Sequence, residues 1–297
     1  MHAFLMTPST DTPVDQCLLA QVVELAKTAG ETARGYFAQV RVGRRDNLNV
    51  RKKNDQSLLS EADTSLDVYI RRGLASMAPD VPIISEEAAA PDYAERRHWR
   101  RLWLVDPLDG TKHFLAGIPD YTINIALVED GQPVLGVIYA PSRGRCYLGL
   151  AGNGAWMQLD RRSGTDRLLN CARRQSQWLD VMVSHGIPGA RLRNFLAQHP
   201  SWQLYALGSS LKSCWIAQGL ADVYPRFGDT CEWDTAAAQV ILTEAGGGIF
   251  DKQGKALEYN KPDLLNPEFI AHAGWYQPPE VWYEESRKAS LSISPAF

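Results

Sequence analysis

The run Trp103-Leu104-Val105-Asp106-Pro107-Leu108-Asp109-Gly110-Thr111 constrains this chain more than any other stretch. Leu102 to Val105 is short and apolar, which predicts a buried strand leading straight into Asp106. Pro107 has no N–H to give to a sheet ladder, so the strand is expected to end at Asp106 and the chain to turn. Gly110 supplies a backbone free to take positive φ in that turn. Two carboxylates three residues apart are thereby aimed into one small volume at a strand end. Alone, the stretch also reads as a tight turn whose aspartate caps the next helix.

Other acidic groups stand at element ends. Ser85-Glu86-Glu87 follows the short apolar run Val81 to Ser85. Glu232-Trp233-Asp234 opens a helix expected over 234–245, and Ser60-Glu61-Ala62-Asp63 precedes one expected from about Thr64 to just before Pro79. Each aspartate at a helix start has a structural reason to be there, as a cap facing the positive end of the helix dipole. If the fold gathers these carboxylates, their mutual repulsion requires cations. Ligands that are all oxygen, with no His or Cys, suit Mg²⁺ or Mn²⁺ rather than zinc.

The 297 residues suffice for one large domain or two packed subdomains. Hydrophobic residues are 45% and charged residues 22%, ordinary for a globular protein, and a net charge of -3 gives no reason to expect a nucleic-acid partner. Five scattered cysteines without a C-x-x-C pair argue against a disulfide framework or zinc site and for a reducing compartment. Met1 to Asp15 lacks the basic and apolar regions of a secretory signal, and no run of 18 apolar residues spans a membrane. A cytoplasmic placement is expected, with peripheral attachment at the inner face of the bacterial inner membrane left open.

Periodicity predicts a first amphipathic helix over Val14 to Phe37, then a basic loop Arg41 to Ser57, read as a solvated flap or as a cover for the site. Tyr121 to Val128 and Val134 to Ala140 flank Glu129-Asp130-Gly131-Gln132, a hairpin signal, and Arg145 to Leu150 follows as a further strand. After 161–166, strands (180–184, 202–206, 222–226, 248–250) alternate with helices (189–197, 209–218, 234–245), giving an α/β second half after an α+β first half. The expected division is 14–160, an α+β subdomain with the acidic motifs; 161–276, an α/β subdomain completing the site; and 277–297, an appendage.

Asp106 to Thr111, Glu86 and Trp233-Asp234 resemble the motifs of the lithium-sensitive, metal-dependent phosphomonoesterases of the inositol monophosphatase superfamily. Trp103 to Phe114, Tyr121 to Leu127, Leu135 to Pro141, Gly208 to Lys212 and Tyr224 to Gly228 are similar to its bacterial CysQ-type 3′(2′),5′-bisphosphate nucleotidase branch. The resemblance implies the layered α-β-α-β-α sandwich of the inositol monophosphatase and fructose-1,6-bisphosphatase sugar phosphatases. It implies two or three Mg²⁺ per site, Mn²⁺ substituting, held by Glu86, Asp106, the Leu108 carbonyl, Asp109 and Asp234. Asp63 and Thr111 would orient or deprotonate the attacking water, with Glu86 the third catalytic group. Substrate contacts would come from Asp109, Gly110, Thr111, His185, Ser209, Lys212, Arg226 and Asp234. One departure falls in the flap. Lys53-Asn54-Asp55 leads to Leu58-Leu59-Ser60-Glu61-Ala62-Asp63, where the branch has a lysine-serine-aspartate run followed by proline-valine-threonine.

The expected reaction is hydrolysis of adenosine 3′,5′-bisphosphate to AMP and phosphate, with the 3′-phosphosulfate relative a second substrate. Arg226 favours it, because a guanidinium suits phosphate oxygens better than a polyol. A surface salt bridge for Arg226 and a polar loop position for His185 are the plainer alternatives. An inositol-1-phosphate or sugar-bisphosphate phosphatase, and a catalytically inactive metal-binding regulatory module, remain the competing functions. Monomer and homodimer are both open.

Overall fold

A computed structural model describes residues 12–44, 48, 50–52, 58–160, 166–172, 176–186, 189–279 and 282. The start 1–11, the flap positions 45–47, 49 and 53–57 (Lys53-Asn54-Asp55 among them), the loop 161–165 and most of 277–297 lie outside the described residues.

Helix α1 (Gln16–Arg41) is started by Asp15, whose side chain accepts the Cys17 and Leu18 N–H groups at 2.9 Å. Its buried stripe runs from Leu18 through Val22, Ala26, Ala29 and Ala33 to Phe37 and Val40. Strands β1 (Arg51–Lys52) and β2 (Leu58–Leu59) form a two-residue antiparallel pair before α2 (Glu61–Met77). Next come β3 (Ile83–Ser85), α3 (Tyr93–Arg96), β4 (Arg101–Asp109), α4 (Thr111–Leu115), β5 (Thr122–Glu129), β6 (Gln132–Ala140), β7 (Arg145–Leu150), β8 (Gly154–Leu159) and β9 (Arg167–Leu168). All seven strands from β3 onward make one sheet in sequence order, antiparallel except for the parallel β3–β4 pair. β9 extends this sheet past residue 160. The β5–β6 hairpin turns on Asp130 (φ 46°) and Gly131 (φ 79°), the left-handed pair that a two-residue turn requires.

The second half contributes β10 (Leu179–Val183), α5 (Ala190–Leu196), β11 (Trp202–Ala206), α6 (Leu211–Ala217), β12 (Val223–Arg226), α7 (Glu232–Glu244), β13 (Gly247–Asp251) and β14 (Phe269–Ala273). Its sheet has the order β11-β10-β12-β14-β13, parallel through the first three strands and antiparallel at β14. β14 had no counterpart in the sequence reading. It sits between β12 and β13 and breaks the purely alternating α/β pattern expected there.

Three cores stack these elements into five layers. Helices α1 and α2 bury Leu18, Phe37, Leu66 and Ile70 against Trp103, Val105, Ile125 and Val137 on one face of the seven-stranded sheet. Leu104, Ala126 and Ile138 on its other face meet α6 and α7, which also cover Met182, Tyr224 and Ala271 of the five-stranded sheet. The far face of that sheet packs Val181, Val223 and Ile270 against Phe195 and Leu196 of α5. The α-β-α-β-α order is therefore present. Close approach of α7 depends on small residues: a Cβ on Gly136 would stand 2.6 Å from the Ala237 carbonyl oxygen, and one on Gly149 would stand 2.9 Å from the Ile241 Cα.

One local expectation is corrected. β4 does not end at Asp106 but continues through Pro107 to Asp109, with a register shift between Asp106 and Asp109 against β5. A bulge leaves its extra residues unpaired, so the missing N–H of Pro107 breaks no ladder bond. The turn begins only at Gly110, whose φ of 94° makes it the left-handed start of α4.

Candidate active site

The carboxylates converge where β3, β4 and α7 end or begin. Glu86 follows β3, Asp106 lies at the bulge of β4, and Asp234 is the third residue of α7. One carboxylate oxygen from each of these three lies within 4.8 Å of the others. Asp106 is 1% exposed. Burial, then the charges of Glu86, Asp109 and Asp234, push its pKa well above the usual carboxylate range. Asp234 is driven the same way, to about 8, by burial and by Asp109. Such a set repels itself unless cations sit among its oxygens, and an oxygen-only donor set fits Mg²⁺ or Mn²⁺.

Asp109 lies beside the trio rather than within it. Its Oδ2 accepts the Ser210 N–H at 2.7 Å and the Ser210 hydroxyl at 2.9 Å. Ser210 also receives a bond from Asn124 Nδ2 at 2.9 Å, so the start of α6 ties Asp109 to β5. Ser210 and Asn124 were not singled out from sequence, although Ser210 is the next residue after a position that was.

Asp63 and Asp234 share a design. Each is the third residue of its helix, and each uses Oδ2 to close the helix start: Asp63 accepts the Ser60 N–H at 2.8 Å, Asp234 the Cys231 N–H at 2.7 Å. The expected cap role is thus real but falls three residues into the helix. Asp63 Oδ1 is left for Thr111, whose hydroxyl donates to it at 2.9 Å and also lies 3.2 Å from the Leu108 carbonyl oxygen. Burial raises the Asp63 pKa, opposed by the bonds from Ser60 and Thr111.

A cleft of about 480 Å³ opens above these groups. Glu86, Asp106, Leu108, Asp109, Gly110, Thr111, Ser209, Lys212, Arg226 and Asp234 all line it, joined by Lys112, His113 and Asp229. Ser209 holds φ at 51°, and its buried Oγ has no partner among the described residues. Lys212 is turned inward, its Nζ donating to the Ser209 and Leu207 carbonyls at 2.6 and 3.3 Å. Arg226 donates through Nε, Nη1 and Nη2 to Gly228 O, Ser184 Oγ and Asp229 O. His185 lines an adjoining cleft of about 360 Å³ that shares Ser184, Tyr224 and Arg226 with the first.

The match to the inositol monophosphatase family model runs over residues 14–290. The chain belongs to the inositol monophosphatase family. It is 40% identical over 253 residues to the 3′(2′),5′-bisphosphate nucleotidase CysQ of Shigella flexneri, covering 85% of this chain and 98% of that one. The protein of the same name from Escherichia coli K12 is also 40% identical, over 259 residues with the same coverage. Among solved structures, CysQ from Bacteroides thetaiotaomicron, described as a bacterial member of this family, superposes with a TM-score of 0.72 at 33% identity, covering 88% of this chain and 98% of that one.

Beside the acidic floor, sequence reasoning missed one polar hub. Asp120, 3% exposed, accepts the Gly208 N–H at 3.0 Å, Arg143 Nη2 at 2.5 Å and His185 Nε2 at 2.9 Å. Burial would raise its pKa, but these bonds outweigh burial and hold it below the usual range. His185 in turn lies 4.7 Å, centroid to centroid, from His113, whose pKa is lowered by burial and by the charge of His185. No signal in the sequence linked positions 113, 120 and 185. Among the described residues no helix is long and apolar enough to cross a membrane, and no disulfide joins any of the cysteines.

Proposed function

We propose that this chain is a Mg²⁺-dependent 3′(2′),5′-bisphosphate nucleotidase that hydrolyses adenosine 3′,5′-bisphosphate to AMP and phosphate in a reducing, cytoplasmic setting. The observation that carries the reading is the Glu86–Asp106–Asp234 grouping at the floor of a cleft whose walls bring Lys112, Lys212 and Arg226. Similarity along nearly the whole length of the CysQ nucleotidases supports the substrate.

Glu86, Asp106 and Asp234 would hold Mg²⁺, with Asp109 and the Leu108 carbonyl completing a set of two or three ions. Bound Mg²⁺ supplies the charge that makes a water acidic and that offsets the negative charge growing on the leaving sugar oxygen. The chain's own part is orientation. Because the Thr111 hydroxyl donates its hydrogen bond to Asp63 Oδ1, the Thr111 oxygen would offer its lone pairs to a water and turn that water's own lone pair toward the phosphorus. Ser210 fixes Asp109, so the floor keeps its shape as the substrate arrives. Ser209 Oγ, which has no partner among the described residues, would be left for the nucleotide. Lys212 holds the Leu207–Ser209 turn rigid from beneath, a positioning role. Arg226 keeps N–H groups beyond the three it donates to the protein, and these serve the phosphate that is retained.

The test is phosphate release from a panel of adenosine 3′,5′-bisphosphate, its 3′-phosphosulfate relative, inositol 1-phosphate and fructose 1,6-bisphosphate, each with Mg²⁺ and with EDTA. Turnover of the first, abolished by EDTA, is expected. Faster turnover of inositol 1-phosphate would replace the substrate assignment, and no release from any of the four would make the chain a regulatory module.

A further inference from the structure

We propose that Lys112 is a further specificity-determining residue of this site and holds the phosphate that is not cleaved. The inference deepens the proposed function and rests on it.

Among the described residues, Lys112, Lys212 and Arg226 are the lysine and arginine side chains that line the cleft. The protein itself engages two of them. Lys212 is 5% exposed, and its ammonium is bonded to two carbonyls and lies 5.0 Å over the Tyr224 ring. Arg226 is braced by Gly228, Ser184 and Asp229. Lys112 differs from both. It is exposed, it follows Thr111 in the first turn of α4, and among the described residues no hydrogen bond or ion pair engages its ammonium.

Charge balance says what an unengaged ammonium in this cleft would meet. Cations held by the floor are matched against Glu86, Asp106, Asp109 and Asp234 as well as against the phosphate being cleaved. A second phosphate on the same sugar lies a ribose away from that floor and still needs compensation as it leaves bulk water. Arg226 approaches from β12, whereas Lys112 approaches from the element that follows β4. The retained phosphate would then be gripped by cations from the elements of both sheets. An ammonium on a four-carbon stem, with three rotating donors, adapts to such a phosphate without fixing its orientation. A substrate with a single phosphate has nothing for Lys112 to hold, so the residue acts on discrimination rather than on the chemical step.

The experiment measures kcat/KM for adenosine 3′,5′-bisphosphate and for adenosine 3′-phosphate in wild type, Lys112→Ala and Lys112→Arg, at one Mg²⁺ concentration and two ionic strengths. The ratio of the two constants is expected to fall about tenfold in Lys112→Ala, chiefly through the KM of the bisphosphate, because a remote phosphate is held alike in ground and transition states. Lys112→Arg should restore most of that ratio. The fall in bisphosphate kcat/KM with added salt should also become shallower in Lys112→Ala, since one attractive charge is gone. A wild-type preference for the bisphosphate that survives Lys112→Ala, or equal losses on the two substrates, overturns the role of Lys112 alone and marks it as a solvated surface lysine. A wild type with no preference for the bisphosphate overturns the nucleotidase reading, and Lys112 falls with it.

Discussion

Thr111 Oγ1 donates to Asp63 Oδ1 at 2.9 Å although the two residues are 48 positions apart, and the start of α2 sets the rotamer that makes this possible. Asp63 Oδ2 is held by the Ser60 N–H and hydroxyl, so its second oxygen can only face α4. The pair is thus rigid before any substrate arrives. Thr111→Ala should lower kcat by about 10²–10⁴, the range for losing a side chain that positions the water for proton transfer, while Thr111→Ser recovers most of it. Steady-state phosphate release decides; a Thr111→Ala rate within threefold of wild type would remove the pair from the mechanism.

Asp106→Asn keeps the side chain's shape and removes a charge from the centre of the grouping. Turnover should nearly vanish with the fold intact, because a floor one charge short holds its cations poorly. In EDTA the variant should melt above wild type, since repulsion from Glu86, Asp109 and Asp234 is relieved. A calorimetric scan with and without Mg²⁺ checks both halves. Near-wild-type activity at saturating Mg²⁺ would remove Asp106 from the ligand set.

The raised carboxyls also set a pH dependence for the metal-free protein. A carboxyl whose pKa is higher folded than unfolded binds its proton more tightly when folded. Its contribution is therefore complete below the unfolded value and is lost as pH rises through the folded one. For Asp234 the window runs from the ordinary carboxylate range up to about 8. Across that window in EDTA, Asp234→Asn should gain Tm over wild type progressively as pH rises. The difference measurement matters because His272 and His199, whose pKa values burial lowers, act oppositely and lose stability as pH falls below the ordinary histidine range. A difference between variant and wild type that stays flat from pH 5 to 8 would contradict the shift.

Most of the architecture was legible because local periodicity and the acidic motifs pointed the same way. The α1 stripe, the Asp130-Gly131 hairpin, and the strands and helices from 179 to 251 fall within a few residues of where spacing puts them. What escaped was non-local. Proline looked like a strand end at 107 because its lost N–H is visible in sequence, whereas the bulge that tolerates it depends on β5. β14 has no alternation to read, being buried at all five positions. Asp120 is a hub only because residues 143, 185 and 208 are brought to it. Ser210 is likewise invisible as the anchor of Asp109 until α6 and β4 meet.

Gly136 tests the packing that brings α7, and with it Asp234, onto the seven-stranded sheet. Gly136→Ala would place a methyl 2.5 Å from Val240 Cγ1 and 2.6 Å from the Ala237 carbonyl oxygen, and the latter is backbone that cannot rotate away. Overpacking of this kind costs about 1–3 kcal/mol, which for a chain of this size is a fall in Tm of about 2–5 °C. Activity should drop as well, because the helix start that carries Asp234 must shift with its helix. An unchanged melting curve would mean that the two layers separate without cost.

Arg226 is the residue on which selectivity can be read most directly. Its three bonds to Gly228, Ser184 and Asp229 fix the guanidinium plane at the wall between the two clefts. A group braced in this way loses little freedom on binding an anion, so its remaining N–H groups are well suited to a phosphate held away from the metal floor. A charge-assisted hydrogen bond contributes about 1.5–3 kcal/mol, so Arg226→Ala should lower kcat/KM for adenosine 3′,5′-bisphosphate by about tenfold to a hundredfold, mostly in KM. Inositol 1-phosphate, which has one phosphate, should change far less. Arg226→Lys should not rescue the loss, because an ammonium cannot reproduce three braced bonds and still present a planar pair of donors. Comparing both substrates on wild type and the two variants at one Mg²⁺ concentration separates binding from support. Equal losses on bisphosphate and monophosphate would make Arg226 a brace of the cleft wall, and the retained phosphate would then have to be held by other groups.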